Sequence, residues 1–199
     1  AFEARGFEFL PRLQRAVLRG LTLLPEVNQT NFGTKLVNGW KYPPLDYGRA
    51  GVNGAWLTRA SLQSLGGIVA NDPEEAVYIV AHADSAGQLL NGKSHYRIHF
   101  AKGQIPPVKA FWSMSLYDNT NNLVDNSLNR YSLGDRSPGL AFNPDGSLTL
   151  YVGHELPEGA AKSNWLPAPA DEFYLVLRAY LPGKPIVDQI WEPPAVVRQ

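Results

Sequence analysis

The sequence predicts a mainly β domain, an antiparallel β-sandwich or jelly roll preceded by two α-helices, on three observations. From Ala76 onward, apolar residues recur at every second position in short runs, the period of a half-buried strand. Turn signals such as Asn91-Gly92, Asp118-Asn119 and Asp145-Gly146 separate these runs, and such dipeptides close antiparallel neighbours. Gly at 18 and Pro at 16 are high for a helical bundle and natural for a fold with many turns.

The first element is a helix over residues 10–24. Leu10, Leu13, Val17, Leu21 and Leu24 fall three and four apart with Arg12, Arg15 and Arg19 between them, which makes the helix amphipathic. Pro11 suits its first turn and Pro25 stops it. Its apolar stripe serves either to dock on the fold or a partner domain, or, with the arginines, to lie on a membrane surface.

Residues 28–54 read as irregular, because Pro43-Pro44 and Gly48, Gly51 and Gly54 interrupt any period. So long a stretch in a compact domain wraps a surface or lines a cleft. A second helix follows over 55–70, with Leu57, Ala60, Ser61, Ser64, Leu65 and Ile68 on one face and Gly66-Gly67 weakening its last turn. The division expected is 1–37 as amphipathic helix and connector, and 38–199 as the β-sandwich domain with its leading helix.

Strands are expected at 77–82, 94–100, 110–117, 147–152 and 172–181. In the second, Tyr96, Ile98 and Phe100 face one way and Arg97 and His99 the other. In the last, Phe173, Leu175, Leu177, Ala179 and Leu181 face the core. Tyr174, Val176, Arg178 and Tyr180 then face solvent or a lined cavity.

Composition narrows the function classes. With 199 residues, 44% of them hydrophobic, the chain fits one domain or one domain plus a docking extension. Lys plus Arg and Asp plus Glu each number 18, so no overall attraction to nucleic acid is expected. Cysteine is absent, which removes disulfides, thiolate nucleophiles and sulfur-based zinc sites. No apolar run reaches the roughly 18 residues of a membrane-spanning helix. The opening AFEARGFEF has neither an initiator Met nor a signal-peptide pattern, consistent with a trimmed chain and a periplasmic or secreted location.

Seven ordered blocks carry a family resemblance: NDPEEAVY at 71–78, LLNGKSHYRIHF at 89–100, GQIPPVKAFWSMSLYD at 103–118, NRYSLGD at 129–135, NPDGSLTLYVGH at 143–154, SNWLPAP at 163–169 and IWEPPAVVR at 190–198. Over residues 38–198 the chain resembles the bacterial family called domain of unknown function 1214. The resemblance implies a β-sandwich of jelly-roll type with helices before it, in many members placed behind a companion domain of unknown function 1254. Members often carry Gln before the histidine of the YVGH block, where this chain has Gly153.

Seven residues are candidates for a site. His154 ends a strand beside a polar loop, a position suited to acid-base work or to pinning the loop. Arg130 and Asp135 bracket NRYSLGD, where a bidentate pair can clamp a turn or the guanidinium can receive a carboxylate or phosphate. Asn164 and Trp165 lie in a Pro-rich loop, the indole available to stack on a ligand or to pack beneath the loop. Arg178 and Tyr180 share a strand face that suits an anionic or polyhydroxylated ligand, or ordinary cross-strand pairing.

No metal site is expected, since strand alternation puts Arg97 between His95 and His99 and the HxH spacing of a cupin is absent. GxSxG, GxGxxG and GxxxxGK are also absent, and no cofactor is implied. Two functions remain: a binding or assembly module that packs against a companion domain or a second copy, and an enzyme acting on a small anionic or polyhydroxylated molecule. In the second, His154 is the acid-base residue and arginines hold the substrate.

Overall fold

The computed structural model describes residues 34–49, 51, 52, 54–65 and 70–199, with Pro11, Gln14, Arg15, Leu18, Arg19 and Gly20 as further positions. The chain divides into two compact units, Ala1–Gly33 with Asp46–Asn71, and Thr34–Leu45 with Asp72–Gln199.

In the first unit the described positions between 11 and 20 are helical; the apolar stripe expected there lies outside the described residues. Helix α1 spans Trp56–Leu65. Among its described side chains Thr58 and Ser61 are buried and Ala60 is exposed. Ser61 belongs to the face expected to pack, whereas Leu57, Ser64, Leu65 and Ile68 lie outside the described side chains.

The second unit holds ten strands. They are β1 Leu36–Val37, β2 Trp40–Lys41, β3 Ala76–Ala81, β4 Tyr96–Phe100, β5 Val108–Asp118, β6 Ser132–Gly134, β7 Leu148–Gly153, β8 Trp165–Pro167, β9 Phe173–Pro182 and β10 Val196–Arg198. One sheet runs β1-β2-β3-β9-β5-β6 with every neighbouring pair antiparallel. The other runs β10-β4-β7-β8, with β7 and β8 parallel.

Alternation fixes the core. Ile79, Trp112, Met114, Leu175 and Leu177 of the first sheet and Tyr96, Ile98, Phe100, Leu150 and Val152 of the second are buried in one apolar cluster. Rings meet between the sheets, Phe100 against Trp112 at 5.6 Å and Tyr96 against Phe173 at 5.8 Å between centroids. Leu181 departs from the expected core row: it is 48% exposed, with φ 46°. A leucine in the left-handed region marks the place where the pleat breaks and β9 stops alternating.

The segment expected to be irregular contributes the hairpin β1-β2. Asn38 and Gly39 have φ 52° and 83°, the two positive values a tight primed turn demands. The hairpin and the residues beside it hold the C-terminal segment through main-chain carbonyls. Asn38 Nδ2 donates to Pro193 at 3.1 Å, Trp40 Nε1 to Pro194 at 2.8 Å and the Tyr42 hydroxyl to Trp191 at 2.7 Å. Gln189 Nε2 returns a bond to the Pro43 carbonyl at 2.7 Å.

Beyond it, Arg198 Nε donates to Asp84 Oδ2 at 2.9 Å, while Asp84 Oδ1 accepts the N–H groups of Ala86 and Gln88. Burial pushes the Asp84 carboxyl up, but these hydrogen bonds and the guanidinium charge outweigh it and hold the group below its ordinary value. Short strand β10 is thereby fixed at both ends of its segment. Short helix α2, Lys184–Val187, follows β9 and leads into this strap.

Candidate functional site

The candidate side chains divide between two places. Around β7 and β8, His154 is exposed and its Nδ1 lies 3.0 Å from the Ala168 carbonyl oxygen. Trp165 Nε1 donates to the Gly153 carbonyl at 3.0 Å. Asn164, 4% exposed, is saturated: Oδ1 accepts Ala141 N–H at 2.9 Å, and Nδ2 donates to the carbonyls of Ala141 at 2.7 Å and Thr149 at 2.9 Å. A buried amide with its bonds made has little capacity left for a ligand.

Arg130 precedes β6 and reaches across to the other sheet. Its Nη1 donates to the carbonyls of Lys162 and Trp165, the second at 2.8 Å. The expected Arg130–Asp135 clamp is replaced: Asp135 Oδ1 accepts the Trp112 N–H at 3.3 Å. The reason lies in the intervening residues, which form strand β6 and not a turn. A strand carries its two ends apart, whereas a turn would bring them together.

Gly153 stands where the family resemblance leads one to expect Gln. A Cβ there would lie 2.9 Å from His95 Nδ1. His95 thus occupies the space a side chain would need, and its Nδ1 is buried without a hydrogen-bond partner. His99, in β4, lies 3.0 Å from Thr149 Oγ1 through its Nδ1.

The second place is the outward row of the six-stranded sheet. Arg178 Nη1 donates to Ser115 Oγ at 3.2 Å, its Nη2 to the Tyr117 hydroxyl, and its charge sits 5.6 Å from the Tyr117 ring centroid. Tyr180 stacks on Phe111 at 4.3 Å, with Arg136 4.2 Å from that ring, and Tyr174 stacks on Tyr117 at 5.4 Å. Register makes these contacts, because Tyr180, Arg178 and Tyr174 on β9 face Phe111, Ser113 and Tyr117 on β5.

Burial, then the hydrogen bond with Tyr180, push the Tyr78 phenol up. Burial, then the neighbouring Tyr117 and Asp118, raise that of Tyr174. Desolvation of the His82 ring, which lies against Tyr174, and then the Lys41 charge hold its imidazole below the usual value. Phe111, Ser115 and Tyr117 were absent from the sequence candidates, although their alternation along FWSMSLY placed them together on one face.

A hollow of about 290 Å³ lies beside β6, lined by residues of 128–133 with Ser137 and Pro138. Among the described residues no three His, Asp or Glu side chains group as metal ligands, and no helix is long and apolar enough to cross a membrane.

A mainly β domain of two sheets, with Arg130, Asp135, His154, Asn164 and Trp165 bonded to main chain, defines an architecture more sharply than a reaction. The family described as "Protein of unknown function (DUF1214)" matches residues 75–184, and the chain belongs to that family. The VPA0106 protein of Vibrio parahaemolyticus is similar in structure, with 32% sequence identity over 72% of this chain and a TM-score of 0.61. A further similarity, to an uncharacterised protein from Burkholderia cenocepacia, has 18% identity over 65% of the chain and a TM-score of 0.42. The chain spans 35% of the first of those proteins and 31% of the second. No curated protein matches.

Proposed function

We propose that this domain is an assembly module of a bacterial protein, a jelly-roll sandwich that packs against a companion domain or a second copy of itself. One observation carries the reading: the candidate side chains Arg130, Asp135, His154 and Asn164 are committed to main-chain partners, while Arg178 is bonded to Ser115 and Tyr117 on its own sheet. Arg130 is held by two carbonyls, Asn164 by three backbone groups, and His154 Nδ1 by the Ala168 carbonyl. Asp135 bonds Trp112 N–H, so the four groups an enzyme would gather each serve a separate piece of backbone.

The outward row of Phe111, Tyr117, Tyr174, Arg178 and Tyr180 supplies a contact surface. Tyr and Arg are the residue types enriched where proteins meet, since they bring large area and several donors at low conformational cost. The relative from Vibrio parahaemolyticus is nearly three times as long as the matched region requires, which supports a setting beside further chain.

Native mass spectrometry before and after denaturation separates this reading from the enzyme acting on a small anionic or polyhydroxylated molecule. A bare polypeptide in a multimer or paired with a companion chain is the expected result. A retained non-protein mass that is released on unfolding and lost in His154→Ala would overturn it.

A further inference from the structure

We propose that the hollow beside β6 is a binding site for a compact ligand carrying one carboxamide or one aminoacyl unit. The inference concerns a different surface from the assembly reading, and neither depends on the other.

Strand β6 is the last strand of its sheet, so one side of its backbone faces away from β5. The direction of each residue follows from one bond: Leu116 N–H donates to the Tyr131 carbonyl at 3.3 Å. In an antiparallel ladder the next inward residue is Leu133, opposite Met114, and Arg130, Ser132 and Gly134 turn their N–H and C=O outward.

Two of these three outward positions are closed by the chain itself. At Arg130, the Asn126 carboxamide acts as a false strand: its Oδ1 accepts the Arg130 N–H at 3.1 Å and its Nδ2 donates to the Arg130 carbonyl at 2.9 Å. At Gly134, Ser137 Oγ accepts the N–H at 2.9 Å and the Ser137 N–H donates to the carbonyl at 3.0 Å. Ser132 lies between them, exposed, with no partner for its outward N–H and C=O among the described residues.

The hollow of about 290 Å³ has Ser132 among the residues that line it, together with the apolar Leu128 and Pro138. Its chemistry is set by the neighbouring example. Asn126 shows that a carboxamide satisfies one outward residue of this edge with two bonds, and Ser132 offers the same donor and acceptor. A full extended peptide is excluded, since strand addition needs consecutive outward residues and those on either side are occupied.

The test is a titration of the 15N-labelled full chain with N-acetylglycinamide, read by amide chemical shifts. Saturable shifts centred on the Ser132 and Leu133 N–H groups are expected, with those of Arg130 and Gly134 nearly still. Ser132→Pro removes the N–H at an edge position where proline is tolerated, and should weaken binding at least tenfold. Ser132→Ala keeps the backbone and should bind as the wild type does. An absent response at Ser132 in the wild-type chain, or shifts spread equally over Arg130, Ser132 and Gly134, would overturn the site.

Discussion

Arg130 donates to the Trp165 carbonyl at 2.8 Å and in doing so ties the edge of the six-stranded sheet to β8, the edge of the four-stranded one. The same Nη1 also bonds the Lys162 carbonyl. A charged donor shared by two carbonyls ties the two sheets together where neither has a further strand to offer.

Arg130→Ala should therefore destabilise the domain by about 1.5–3 kcal/mol, the range for hydrogen bonds made by charged groups. Arg130→Lys should recover less than half of the loss, because an ammonium cannot reproduce the planar fork. Urea unfolding checks this, and a midpoint unchanged in the alanine variant would remove the bridge from the account.

The Asp84–Arg198 pair predicts a pH dependence. The carboxyl of Asp84 is held below its ordinary value of 3.8. Its stabilisation is present above that value and is lost as pH falls through the depressed one. Unfolding free energy measured between neutral pH and pH 2 should fall at the acidic end in the wild type and less steeply in Asp84→Asn. Equal slopes in the two proteins would contradict the assignment.

Two glycines separate contact from conformation. A Cβ on Gly92 would lie 1.7 Å from the Pro169 carbonyl oxygen, whereas one on Gly103 meets nothing within 4 Å but must adopt φ 80°. Gly92→Ala should cost about 3 kcal/mol by overpacking against backbone. Gly103→Ala should cost about 1 kcal/mol through its left-handed conformation alone. Thermal melts of the two variants decide the order, and a larger loss at Gly103 would reverse the explanation.

His154→Ala tests whether that residue pins a loop. It removes one exposed hydrogen bond to the Ala168 carbonyl, so about 1 kcal/mol or less should be lost. Backbone exchange should quicken at 168–171 and stay unchanged in β4. Unaltered exchange near Ala168 would leave His154 without that role.

The long strands were legible because burial on one face writes a period of two into the residues: YRIHF alternates buried and exposed in the fold as in the sequence. Strands β1, β2, β6, β8 and β10 have two or three residues each, too few to display any period. Asn38-Gly39 was the missed signal for β1-β2, a turn dipeptide read as part of an irregular stretch. Arg130 and Asn164 were found as polar residues of note, but their partners are main-chain carbonyls and N–H groups. Such partners have no residue type to recognise in a sequence.

Sedimentation velocity of the wild-type chain and of Tyr180→Glu, each over a concentration series and each mixed with the companion domain proposed above, a domain of unknown function 1254, tests the assembly reading most directly. Far-UV circular dichroism guards against misfolding in the variant. The predicted result is association of the wild type with itself or with the companion, weakened at least tenfold when a carboxylate is placed beside Phe111. A wild-type chain that remains a lone monomer at every concentration and in the mixture would contradict it.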